Sequence, residues 1–204
     1  MSSKNRAAVH LISSPEDFAG EHDYVQKILE QDRVMFHLRK PRKDLVEMER
    51  WLMALPFELI AKVIVHGHPN LLDSLELRGI HYNHYHPIPT VLPTEPVMKG
   101  FSAHSLEEIK SLKKLDYCFL SPIFESISKI GYRGTFNLNT LGAELKEIKD
   151  QNPQMKIIAL SGIQEENVAW VKELGFDGVA VLGRVWNDPD PFAAIEVLLQ
   201  VCES

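Results

Sequence analysis

DYCFLSPIFESISKIGYRG, residues 116–134, holds an apolar run from Tyr117 to Leu120 that stops at Ser121-Pro122 and opens into a loop with Ser126, Ser128 and Lys129 beside glycines. Charge and hydroxyl groups therefore gather where a buried strand would end. In a parallel α/β protein that is where ligands bind, because rigid strand ends carry loops that are free to vary. One lysine and several hydroxyls suit an oxyanion such as phosphate or diphosphate. An ordinary surface loop has similar content, so the weight of this segment depends on its company.

The same grammar runs along the whole chain. Short apolar runs alternate with amphipathic helical stretches, as expected of βα units in a parallel sheet. The expected strands are Val9 to Ile12, Val34 to Leu38, Leu59 to Val65, Gly79 to Tyr82, Val97 to Ser102, Tyr117 to Leu120, Lys156 to Leu160 and Gly178 to Leu182. Ser14-Pro15-Glu16-Asp17 reads as a helix start, with an N-cap hydroxyl, proline at the first helical position and acids in the first turn. Ser105 with Glu108 fits a capping box, and Asp190-Pro191 opens the last helix. Tyr82 to Glu95, rich in proline and histidine, reads as a loop with at most a short helix. Eight βα units in 204 residues predict one (β/α)8 barrel domain over residues 1–204, with a doubly wound open sheet as the alternative.

Composition narrows the function. No apolar run approaches the roughly 20 residues needed to cross a membrane, and the first residues, MSSKNRAAVH, lack the apolar centre of a secretory signal, so a cytoplasmic protein is expected. Two cysteines, Cys118 and Cys202, make neither a disulfide framework nor a four-cysteine zinc site. A net charge of -6 argues against a nucleic-acid partner. Any phosphate ligand should be small and locally bound.

Three further groups of residues stand at strand ends. Ser161-Gly162 and Leu182-Gly183 close the seventh and eighth strands with glycine, which lets the backbone approach a phosphate; glycine also ends strands for turn geometry alone. His37-Leu38-Arg39-Lys40 ends the second strand, and alternation puts His37 and Arg39 on one face with Lys40 on the other, making Arg39 the pocket candidate. His66 and His68, then His81, His84 and His86, crowd the third and fourth strand ends. The H-x-H spacing puts the His66 and His68 rings on one face of an extended segment, a geometry open to a transition metal. Proton transfer or hydrogen bonding is the better expectation, because Asp73 falls in a helical stretch and no H-E-x-x-H spacing occurs.

Taken in order, six motifs resemble the thiamine phosphate synthase family and its thiazole tautomerase relatives: HLRK (37–40), GIHYN (79–83), FSAHSLEE (101–108), SPIFESISK (121–129), SGIQEENV (161–168) and DGVAVL (177–182). The resemblance implies a (β/α)8 barrel acting on small phosphorylated substrates, with a homodimer as the expected assembly. It implies that Ser102 and Lys129 meet the diphosphate of a hydroxymethylpyrimidine, with Arg39 close by. The backbone at Ser161, Gly162, Leu182 and Gly183 would meet a thiazole phosphate, and His37, His66, His81, Ser126 and Ser128 would line the substrate pocket. Magnesium is the cofactor the family implies. Yet His66-Gly67-His68 stands where the family's N-D-R would be, a second metal aspartate falls near His86, and Pro41 takes the place of the family's lysine. Histidine is a poor magnesium ligand, so His68 and His86 are metal candidates only for another ion. Pro122 replaces the tautomerase histidine. The transferase is the first reading, with a non-catalytic binder of thiazole or thiamine phosphate and a tautomerase-like isomerase as alternatives.

Overall fold

The computed structural model of the protein describes residues 8–94, 97–125 and 136–204. In chain order its elements are β1 (Ala8–Ile12), α1 (Glu21–Glu30), β2 (Met35–Leu38), α2 (Leu45–Met53), α3 (Phe57–Ile60), β3 (Val63–His66), α4 (Leu71–Ser74), β4 (Gly79–Tyr82) and β5 (Met98–Ala103). They continue as α5 (Leu106–Ser111), β6 (Tyr117–Leu120), α6 (Leu138–Gln151), β7 (Lys156–Leu160), α7 (Glu165–Glu173), β8 (Gly178–Val181), α8 (Gly183–Trp186) and α9 (Pro191–Glu203). The eight strands pair in sequence order, all parallel, and β8 returns to β1 to close the barrel. The open sheet is thereby excluded.

Strand alternation sorts the apolar side chains into two cores. Val9, Phe36, Val65, Ile80, Cys118, Ile157 and Val179 point outward into the large core beneath the helices, where Val25, Leu52, Leu145, Val168 and Leu198 meet them. Ile12, Tyr117, Phe119, Ile158 and Ala180 form a smaller cluster inside the barrel. That inner layer is incompletely apolar: His10, His37 and His81 are buried with it. Gly100 makes room there, since a Cβ on it would lie 2.1 Å from the Tyr117 ring.

Sequence expectations fail in two segments. Leu59 and Ile60 belong to helix α3, and β3 begins only at Val63. A short apolar run does not by itself distinguish a strand from a buried helical turn, and here Pro56 opens a turn whose Leu59 and Ile60 face the core. Ser14-Pro15 starts no helix, because α1 begins at Glu21 behind Gly20. Tertiary bonds hold the intervening stretch: Ser13 Oγ donates to the Arg39 carbonyl and accepts from the Arg39 N–H, and the Glu16 carbonyl accepts from Lys40 Nζ. The other two helices start where expected, although at Ser105 the reciprocal half of the capping box is absent, because the Glu108 carboxylate accepts from the His104 N–H. Ser105 Oγ accepts from Glu108 N–H, and Asp190 accepts from the N–H groups of Phe192 and Ala193 ahead of a helix with Pro191 in its first turn. Residues 83–94 contain no helix.

Candidate active site

A pocket of about 250 Å³ opens at the carboxyl ends of the strands. Arg39, His66, Ser102 and His104 stand on one side of the barrel, and Ser161, Gly162, Leu182 and Gly183 come from the ends of β7 and β8. The fold thus gathers the sequence candidates Arg39, His66, Ser102, Ser161, Gly162, Leu182 and Gly183 in one cavity. Ser126, Ser128 and Lys129 lie outside the described residues.

Backbone geometry shapes the β7 side. Ser161 and Gly162 have φ of 86° and 66°, a left-handed pair that turns the chain sharply out of the strand. A Cβ on Gly162 would meet the Glu125 carbonyl at 2.4 Å, so glycine is required where this turn touches the chain leaving β6. Ser161 Oγ donates to the Phe124 carbonyl at 3.1 Å, and Asn167 Nδ2 donates to the Gly162 carbonyl at 2.8 Å. Beside them Arg184 is committed to Glu165 and Asp188 through bonds of 2.7 and 3.0 Å. Its charge stiffens the pocket wall.

On the opposite side the strand alternation separates Arg39 from Lys40 as expected. Arg39 faces the pocket, and burial pulls its pKa down from the usual arginine range. Lys40 points outward, buried, and bonds to both carboxylate oxygens of Glu21 at 2.7 Å. His37 and His81 were expected in the pocket wall, but both are fully buried below it. His66, 8% exposed, is the ring that reaches the cavity.

Under the pocket these rings form hydrogen-bonded lines. His10 Nδ1 lies 2.8 Å from His37 Nε2, and His37 Nδ1 lies 3.1 Å from His66 Nε2. His81 Nδ1 lies 3.0 Å from the Tyr117 hydroxyl, and its Nε2 lies 2.8 Å from Ser102 Oγ. Neutral imidazole has one donor and one acceptor nitrogen, so each line can run in either direction. Burial drives all four rings toward neutrality: His10 and His66 are lowered to about 3, and His37 and His81 well below the usual range, with neighbouring charges adding to the effect. Burial, and secondarily Asp116, pushes the Tyr117 hydroxyl well above its usual range.

The H-x-H pair does not share a face. Gly67 and His68 adopt φ of 73° and 51°, which ends the extended backbone directly after His66. His68 turns instead toward His86, with ring centroids 5.7 Å apart. His84 and His104 stack at 5.6 Å, with His84 Nε2 3.1 Å from Glu108 and His104 Nδ1 3.1 Å from the Ser121 carbonyl.

Sequence reading passed over His104, Ser121, Arg184 and the His10–Tyr117 interior. A signal was present for part of this. His10, His37 and His81 each sit between apolar neighbours in a strand, and His104 lies two residues beyond Ser102, hence on its face by period two.

Residues 9–185 match the thiamine monophosphate synthase family. The chain belongs to that family. It is 25% identical over 200 residues to a thiamine-phosphate synthase of Desulfitobacterium hafniense strain Y51, covering 94% of this chain and 92% of that protein. Among solved structures it is similar to a thiamine phosphate pyrophosphorylase from Bacteroides thetaiotaomicron, with TM-score 0.76, 30% identity and 95% of each chain covered. The likeness to the Pyrococcus furiosus thiamine phosphate pyrophosphorylase, with TM-score 0.74 and 21% identity over 98% of this chain and 96% of that one, shows the fold.

Magnesium, which the family implies, does not fit the donor set. No carboxylate lines the pocket among the described residues, whose polar groups are imidazoles, hydroxyls, amides and guanidiniums. Residues 126–135 contain no Asp or Glu either. Magnesium requires hard oxygen ligands in near-octahedral array, which imidazoles and guanidiniums do not supply.

Proposed function

We propose that this protein is a thiamine-biosynthesis transferase of the thiamine phosphate synthase type. It joins a hydroxymethylpyrimidine diphosphate to a thiazole phosphate. In the reaction the bond from the pyrimidine methylene carbon to the diphosphate oxygen breaks, leaving a pyrimidine cation and free diphosphate. The thiazole nitrogen then donates its electron pair to the cation, forming the carbon–nitrogen bond of thiamine phosphate.

The observation that carries this reading is the two-sided pocket. Arg39, Ser102 and His104 face the glycine-containing turns at Ser161-Gly162 and Leu182-Gly183 across one cavity, which suits two oxyanion-bearing substrates held side by side. Arg39 supplies fixed positive charge for the departing diphosphate. Ser102, its oxygen pinned by His81, offers a hydroxyl at a fixed point. By the family resemblance, Lys129 meets the same diphosphate, with Ser126 and Ser128 as further hydroxyl donors. The backbone N–H groups of the two turns receive the thiazole phosphate. The protein's work is then positioning and charge neutralisation, which are the dominant protein contributions to such transfers.

The two buried, unpaired cysteines fit a cytoplasmic location, and no helix among the described residues is long and apolar enough to cross a membrane. A homodimer belongs to the same reading, and light scattering tests it. The activity is tested by incubating purified protein with both substrates and magnesium, manganese or zinc in separate reactions. Thiamine phosphate formed in proportion to protein supports the transferase, and no product with any of the three metals removes it.

A further inference from the structure

We propose that His37, His66 and His81 form a binding site for an imidazole-preferring divalent metal, zinc in the first instance, with its fourth position open to the pocket. One ring nitrogen from each of the three lies within 4.8 Å of the other two. In a tetrahedral zinc site with bonds of 2.0–2.1 Å, neighbouring ligand nitrogens stand about 3.3 Å apart. His37 Nδ1 and His66 Nε2 already stand at 3.1 Å. Closing the third ligand from within 4.8 Å to that spacing requires a shift of at most about 1.5 Å, made by the His81 ring, which now stacks on His66 at 4.2 Å between centroids.

The groups around the triad are those a metal-bound imidazole requires. A ligating histidine usually donates its other N–H to a fixed acceptor, which sets the tautomer and ring angle. With Nδ1 of His37 on the metal, its Nε2–H donates to His10 Nδ1 at 2.8 Å. With Nε2 of His81 on the metal, its Nδ1–H donates to the Tyr117 oxygen at 3.0 Å. Metal binding thus fixes the tautomer of His37 and His81 and replaces the His37–His66 and His81–Ser102 hydrogen bonds with bonds to the ion. Burial already holds the three rings neutral near pH 7, so no ligand proton has to be displaced.

Access and charge point the same way. Barrel interiors are ordinarily filled by branched apolar residues, whereas this one buries four imidazoles directly below the cavity. His66 and Ser102 line that cavity, so the open position faces solvent and substrate. Three neutral ligands leave the ion with its full charge, which an anionic fourth ligand, hydroxide or a substrate oxygen, offsets. Three histidines with one open position is the ligand pattern of catalytic zinc sites, as distinct from closed structural ones. Imidazole nitrogens, poor ligands for magnesium, suit such a softer ion.

The proposal is independent of the transferase reading, because metal binding is measured without substrate. The full chain, stripped with a chelator and dialysed, is titrated with zinc by calorimetry and with cobalt by visible absorption. The expected result is one tight equivalent, with the intense visible bands of four-coordinate cobalt. His66→Ala should weaken that equivalent by more than about 100-fold, beyond the loss usual for outer partners, and Tyr117→Phe by about 10-fold. His68→Ala, outside the triad, should leave it unchanged. His66→Asn serves if the alanine variant misfolds, and circular dichroism checks each variant. Absence of a tight equivalent in the unmodified protein overturns the site. So does an equivalent that survives in folded His66 variants or is lost with His68→Ala, either of which would assign the binding to other histidines.

Discussion

Replacing Lys40 with methionine isolates a charge that the fold has buried on purpose-built contacts. Lys40 and Glu21 side chains are each about 1% exposed, and the ammonium reaches both carboxylate oxygens at 2.7 Å. It also contacts the Glu16 carbonyl and Asp17, both at 3.1 Å, and lies 5.8 Å from the Trp51 ring centroid. Methionine preserves most of the volume but leaves Glu21, among the described residues, with only the Trp51 Nε1–H, at 3.3 Å, as a side-chain donor. Breaking a buried pair from one side costs about 3–5 kcal/mol, because the remaining charge is uncompensated. For a chain of this length that corresponds to a fall in Tm of about 6–20 °C. Lys40→Met with Glu21→Gln should recover at least half of the loss, since no buried charge is then left alone. Urea denaturation of the three proteins at pH 7 measures this. Because Lys40 faces the helices and Arg39 the pocket, substrate affinity at low temperature should not change. A single variant that loses less than about 1 kcal/mol, or a double variant no better than the single, would refute the reasoning that an orphaned Glu21 charge dominates.

Gly183→Val should weaken thiazole phosphate binding while the barrel stays folded, because the residue lines the cavity at the end of β8; calorimetry giving unchanged affinity in a folded variant would remove the phosphate from this end. Lys129→Ala should cost about 1.5–3 kcal/mol in diphosphate affinity, the value of a charge-assisted hydrogen bond, and spare thiazole phosphate; equal losses for both ligands in competition titrations would contradict that division. At Glu165, burial raises the carboxyl pKa but the Arg184 hydrogen bonds outweigh it and leave a net lowering. A folded pKa below the unfolded one means stability that is present above the ordinary carboxylate range and lost as pH falls through the folded value. The pH dependence of the urea midpoint below about pH 5 should therefore flatten in Glu165→Gln, and an unchanged slope would place the acid-sensitive contact elsewhere.

The strands were legible because period-two alternation survives burial on both faces: VHLI, FHL and GIHY each place a histidine on the inner face between residues that face the helices. The same rule separated Arg39 from Lys40. Where it failed, the deciding information was not local. Leu59 and Ile60 are apolar in a helix as they would be in a strand, and only the turn at Pro56 tells them apart. Ser14 to Asp17 has a good helix signature, but the bonds from Ser13 and Glu16 to residues 39 and 40 hold it in a non-helical path, and those partners are about 25 positions away in sequence. Gly162 was readable because the left-handed turn at the end of β7 needs it, whereas Gly183 opens helix α8. The histidine site was half readable. Its residue type stood out, but H-x-H spacing suggested a pair at 66 and 68, and the left-handed turn at Gly67 and His68 sends the second ring away. The partners of His66 come from neighbouring strands, β2 and β4, and closure of the barrel brings them in.

The sealed position of the inner imidazoles makes them a built-in gauge of barrel breathing. Ring N–H protons shared between His10, His37 and His66, or between His81 and its two hydroxyl partners, reach water only when the strands part or the pocket floor opens. Their exchange rate is then set by the free energy of that opening, as for protected backbone amides. Downfield imidazole resonances that persist in water would separate two motions. Exchange at His66, under the cavity, follows movement of the pocket rim, while exchange at His10, on the strand that closes the cylinder, follows parting of β1 from its neighbours.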